Sequence, residues 1–128
     1  MSRHLVFAVI AIIILSTTIQ AEDTNSLKKT DETIAYLLDF VAKSDCTFIR
    51  NGQPYTGKQA SAHMKSKYQY FKDEIKTPED FIRLAATKSL QTGQLYMVKT
   101  KEGEESRCNE WIKKVLNECR IIQDNKEK

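Results

Sequence analysis

The chain has 128 residues, 41% of them apolar and 29% charged, with four glycines, two prolines and a net charge of +3. That length fits one domain, and the scarcity of glycine and proline excludes collagen-like, proline-rich and low-complexity classes. So small a charge excess gives no footing for nucleic-acid binding, which shows as clustered lysine and arginine on a strongly basic domain.

The N-terminus reads Met1-Ser2-Arg3-His4, then an apolar run from Leu5 to Leu15, then Ser16-Thr17-Thr18-Ile19-Gln20-Ala21. A basic start, a short apolar centre and a small residue before a polar stretch predict a cleavable secretory signal peptide over residues 1–21, with Glu22 as the mature start. The apolar run falls short of the ~20 residues a membrane-spanning helix needs, so no transmembrane helix is expected after cleavage, and no cysteine follows the run to carry a lipid. The expected location is therefore periplasmic or secreted. Cleavage leaves about 107 residues, about 36% apolar and near +2 in charge. A domain of that size buries only about two-thirds of its unfolded surface, so a covalent staple would help it.

Residues 22–30 are polar and read as a flexible lead-in to a single α+β domain over residues 31–122, followed by a polar tail, 123–128. Ile34, Leu37, Leu38 and Val41 fit the i, i+3, i+4, i+7 template of a helix, with Thr30 or Asp31 as its N-cap and Ser44-Asp45 as its end. Asn51-Gly52 between Cys46-Thr47-Phe48-Ile49-Arg50 and Gln53-Pro54-Tyr55 predicts a tight type I′ hairpin, whose turn residues need positive φ. Pro54 marks its second strand as short and at an edge. Thr56 and Gln59 form a capping-box pattern opening a second helix, with Ala60, Met64, Tyr68, Phe71 and Ile75 as its apolar stripe. Thr77-Pro78-Glu79-Asp80 opens a third, with proline in the first turn and two carboxylates at the positive end of the dipole. Leu95 to Lys99 reads as a third strand. Ser106 reads as the cap of a last helix striped by Cys108, Trp111, Ile112, Val115, Cys119 and Ile122. The predicted order is α-β-β-α-α-β-α: four helices around a small sheet made of a hairpin and one further strand.

Three cysteines, Cys46, Cys108 and Cys119, lie in the exported part, where an oxidising compartment favours one disulfide. Cys108 and Cys119 share one predicted helix and stand roughly 16 Å apart along it, beyond the ~7 Å that a disulfide spans. Cys46 must then pair with Cys108 or Cys119. An antiparallel third strand would bring Lys99 beside Cys46 with the last helix following, which favours Cys46–Cys108. Only His63 survives cleavage and no Cys-x-x-Cys occurs, so no metal site is expected, and no cofactor motif is present.

Several segments together resemble a family of exported bacterial proteins known as domain of unknown function 5329. They are Ile34 to Phe40; Cys46-Thr47-Phe48-Ile49-Arg50-Asn51-Gly52-x-x-Tyr55; Ala60-x-x-His63-Met64-x-x-Lys67-Tyr68; Ile75-Lys76-Thr77-x-Glu79-Asp80-Phe81-Ile82; and Ala86-Thr87-Lys88-Ser89-x-x-x-Gly93-x-x-Tyr96. The resemblance covers residues 31–99. It implies a secreted or periplasmic single domain and no established activity. It also implies a second cysteine just after the third strand, where this chain has Lys99-Thr100-Lys101, so Cys108 and the last helix with Cys119 depart from it.

The chemistry-bearing residues in those segments are Arg50, Tyr55, His63, Lys67, Lys88 and Tyr96. Arg50 and Tyr55 could offer a guanidinium and a phenol to an anionic or aromatic ligand; the plainer reading of each is turn, packing or helix-end chemistry. With neither a catalytic nor a metal constellation in view, the reading adopted is a non-enzymatic binding or interaction module of the cell envelope, with those six residues as the surface for an envelope protein or ligand. The alternative is a small hydrolase or thiol-dependent enzyme using His63 with Cys46 or Ser89. A second alternative is a structural envelope component.

Overall fold

A computed structural model describes residues 3–128, with side chains from Asp23 onward; the signal-peptide reading of residues 1–21 lies outside the described side chains. The elements are α1 (Arg3–Lys43), β1 (Thr47–Arg50), β2 (Gln53–Tyr55), α2 (Gly57–Tyr70), α3 (Pro78–Ala85), β3 (Met97–Lys99), β4 (Glu105–Arg107) and α4 (Cys108–Lys126). The fold is α+β, as expected: four helices and an antiparallel sheet, here four-stranded in the order β2-β1-β3-β4.

Local chemistry sets most boundaries. Asn51 and Gly52 take positive φ of 51° and 74° and close the β1–β2 hairpin. Thr56 and Gln59 form the reciprocal capping box of α2, and Thr77 with Asp80 does the same for α3, with Pro78 in its first turn. Gly57 lets α2 start against the end of α1: a Cβ there would overlap the Val41 carbonyl oxygen and sit 2.9 Å from that of Ser44.

Residues 22–30, read above as a flexible lead-in, are helical and lie within α1. Thr30 does not cap. Its hydroxyl donates to the Lys76 carbonyl at 3.1 Å and ties α1 to the segment before α3, while Thr33 donates one turn back to the Lys29 carbonyl. At the other end, α4 continues to Lys126, through most of the polar tail, whose residues are all exposed.

The strand absent from the sequence reading is β4. Thr100 and Glu104 pair across a turn in which Gly103 has φ 95°, and Ser106 pairs with Val98 instead of capping α4. Arg107 holds the N-cap position without a side-chain hydrogen bond. This extra return changes the cysteine geometry. Thr47 does lie opposite Lys99, but β4 carries the chain back, and the Cys108 amide bonds the Tyr96 carbonyl at the other end of β3. Four strand positions, about 13 Å, therefore separate Cys108 from Cys46 along the sheet. The expected Cys46–Cys108 disulfide is not present, nor is Cys46–Cys119; all three thiols are free.

The core lies between the sheet and the helices. Ile34, Leu37 and Val41 from α1, Phe81 and Ile82 from α3, Val98 from β3 and Ile112 and Leu116 from α4 are all fully or almost fully buried. Phe48 and Val98 face each other across β1 and β3, and the Phe48 ring meets Trp111 of α4 edge-on at 5.6 Å. Side chains alternate along a strand, so Arg50, two residues after Phe48, shares its face and points toward α2.

Candidate functional site

Arg50 ends β1, His63 and Lys67 stand one turn apart on α2, and Tyr96 enters β3. The fold brings these four into one cluster. Arg50 Nη1 lies 3.3 Å from His63 Nδ1, and His63 Nε2 lies 3.3 Å from the Tyr96 hydroxyl. Lys67 Nζ donates to that hydroxyl at 3.1 Å and to the Lys88 carbonyl at 2.8 Å.

Hydrogen-bond inventory fixes the direction of this chain. A guanidinium has donors only, so His63 Nδ1 accepts and the ring proton sits on Nε2. Nε2–H then donates to the Tyr96 oxygen, which also receives Lys67, and the Tyr96 proton is used by none of the three. Both acceptors of the cluster, His63 Nδ1 and the Tyr96 oxygen, are thus taken up, and what it has left to offer is donors. Among the described residues Arg50 makes no other side-chain hydrogen bond, and its Nε is buried with no hydrogen-bond partner.

Charge points the same way. Among the described residues, no carboxylate lies within ion-pair distance of Arg50 or Lys67. Burial, and then Arg50, pulls the Lys67 ammonium down to about 8. Burial, followed by the charges of Arg50 and Lys67, also holds the His63 imidazole below its ordinary value, and burial raises the Tyr96 phenol. A desolvated cation without an acid partner is costly to keep.

Arg50, Tyr55, His63 and Tyr96 line one cavity of about 310 Å³ between α2 and the sheet. Its remaining walls are mostly apolar: Phe48, Ile49, Ala60, Ala62 and Met64, with Gln59 at the side and Cys108 from the start of α4. The Cys108 thiol is pushed up to about 12 by burial, so it is a wall and not a nucleophile.

Of the six residues singled out in the sequence, four line this cavity and Lys67 braces it from behind through Tyr96. Lys88 takes part through its carbonyl alone; its side chain is exposed. Cys46 lies elsewhere, in a groove with Tyr36, Phe40 and Trp111. Ser89 is buried and bonded to Asn51 and the Thr92 amide. Neither is a partner of His63. The sequence reading missed Phe48, Ala60 and Met64 as cavity walls because their apolar spacing marks them only as core. It missed Cys108 because β4 was not read. Among the described residues, no group of three or more His, Cys, Asp or Glu could hold a metal ion, and no helix is long and apolar enough to cross a membrane.

A model of the family described as "Family of unknown function (DUF5329)" matches residues 28–120, reaching past the β3 end of the segments quoted above and into α4 as far as Arg120. The chain is also similar to "Uncharacterized protein YfeK" of Salmonella typhimurium, 36% identical over 62 residues, which is 48% of this chain and 52% of that protein. The chain thus spans about half the length of the relative it matches. No solved structure matches it.

Proposed function

Because the chain belongs to the DUF5329 family, whose description carries no activity, we propose its role from its own site: a non-enzymatic binding module of the cell envelope that takes an anionic group at Arg50, His63 and Tyr96. The observation that carries this reading is the buried, unpartnered Nε of Arg50 in a cluster of donors that no carboxylate answers. An unmet buried donor costs about 1–3 kcal/mol, and an entering anion removes that cost while placing a negative charge near two cations that have no acid partner. Neither Cys46 nor Ser89 is among the hydrogen-bond partners of His63, which are Arg50 and the Tyr96 hydroxyl, and this favours binding over hydrolysis by a Cys or Ser nucleophile.

Export belongs to the same proposal. The apolar run of residues 5–15 and the small residue Ala21 support cleavage into the periplasm or medium, leaving α1 to begin at Glu22. Intact-mass measurement of protein released by osmotic shock is expected to give a chain starting at Glu22; a full-length chain retained in the membrane fraction would contradict it.

The binding role is tested by thermal unfolding of the full chain in rising acetate and phosphate. A ligand held only by the folded state raises Tm with the logarithm of its concentration. Such a rise is expected for the natural chain and not for Arg50→Gln. An equal rise in both would show that the anions act elsewhere.

A further inference from the structure

The cavity beside the cation cluster says more about the anion than its charge. Resting on the anionic reading above, we infer that the ligand is a carboxylate carried on a small apolar body, a phenyl ring or a short alkyl chain, with the carboxylate at Arg50 and the body between Phe48, Ala60 and Met64.

Three observations lead there. The guanidinium is already committed on one side, where Nη1 meets His63. Its Nε is the donor left over, and Nε together with Nη2 forms the edge that takes one planar carboxylate side-on. Tyr96, whose hydroxyl receives both His63 and Lys67, faces the same cavity and still has its own proton to donate. A fully charged phosphate or sulfate asks for donors all round, and this site offers them on one wall only. The opposite walls are aliphatic and aromatic, and the volume of about 310 Å³ lies at the small end of the range for ligand sites. The cavity thus offers a charged head position and an apolar tail position within one molecule's length.

Isothermal titration of the full chain with hexanoate, benzoate, acetate, hexanamide and inorganic phosphate separates the possibilities. Hexanoate and benzoate are expected to bind at least tenfold more tightly than hexanamide or phosphate, and Arg50→Gln should weaken both carboxylates at least tenfold. Ala62 is exposed on α2 and lines the cavity, so Ala62→Leu narrows the tail position without disturbing the core; it should weaken hexanoate severalfold and leave acetate unchanged. If phosphate binds as tightly as hexanoate and depends on Arg50, the apolar body is wrong while the anionic site stands. If hexanamide matches hexanoate, the carboxylate is wrong. If no anion binds in an Arg50-dependent way, both readings fall.

Discussion

Two lysine–tyrosine pairs meet at α2, and they differ in one component. Tyr68 donates to Asp31 of α1, and Lys72 bonds both that carboxylate, at 2.9 Å, and the Tyr68 hydroxyl, at 2.7 Å. The acid completes the set, and the result is an exposed tie between α1 and the end of α2. Lys67 and Tyr96 make the corresponding contact deeper in the protein, joined by His63 and Arg50, and among the described residues no acid answers them. Donors matched within the chain hold elements together; donors left unmatched, partly buried and beside a cavity are the proposed receptor. The difference is a single carboxylate, so it is open to experiment from either side.

The largest effect is expected from removing the unmatched charge. Arg50→Met should weaken hexanoate binding at least tenfold while leaving Tm unchanged or raised, because an apolar stem replaces a desolvated donor. Titration calorimetry beside thermal unfolding checks both halves, and a large loss of stability would mean that Arg50 is itself a structural tie. Supplying the missing acid within the chain is the converse change. His63→Glu places a carboxylate between Arg50 and Lys67, and urea unfolding should show a gain of about 1–2 kcal/mol from charged hydrogen bonds, with anion binding lost. A destabilised protein that still binds hexanoate would break the comparison.

Next in size is the response to pH. Lys67 loses its proton at about 8 in the free protein, with Arg50 of β1, His63 of its own helix and the Tyr96 hydroxyl at β3 as the titratable or charged groups around it. A bound anion would hold that proton on, so affinity should fall severalfold between about pH 8 and pH 9. Ligand-free stability should move the other way: the unfolded lysine keeps its proton to a higher pH than the folded one, so the unfolded state binds more protons and stability rises with pH over the same interval. Denaturant midpoints and titrations at matched pH values test the pair of signs, and an affinity that is flat across the interval would remove Lys67 from the account. The smallest effect belongs to the matched cluster. Asp31→Asn should cost less than about 1 kcal/mol, as exposed ion pairs do, and leave hexanoate affinity unchanged.

Much of this arrangement was legible in the sequence, and the gaps have physical causes. Asn51-Gly52, Thr56 with Gln59 and Thr77-Pro78 each force a local geometry whatever surrounds them, so the hairpin and the starts of α2 and α3 were readable. Glu105-Ser106-Arg107 has no apolar alternation; it is an edge strand held by pairing with β3 and by the Gly103 turn, and edge strands are often charged. Missing it put Cys108 beside Cys46 instead of beside Tyr96, and so produced a disulfide the fold does not make. The helicity of residues 22–30 was hidden for a related reason: Thr30 reads as a cap until the Lys76 carbonyl is seen to hold it. In the site, Arg50, Tyr55, His63 and Tyr96 could be named from the sequence as polar candidates. That Lys67 lies buried against Tyr96, and that Lys88 contributes only a carbonyl, depends on how α2 packs over the loop between α3 and β3, which no local pattern encodes.

The central claim is that Arg50 Nε is an unmet donor awaiting an anion. The proton on that nitrogen is the most direct witness, observed by ¹H–¹⁵N NMR of the natural chain during titration with hexanoate. The account predicts a saturable downfield shift of the Arg50 Nε–H resonance, with no matching shift when hexanamide is added. A resonance that stays fixed while hexanoate saturates the protein would place the anion elsewhere and contradict it.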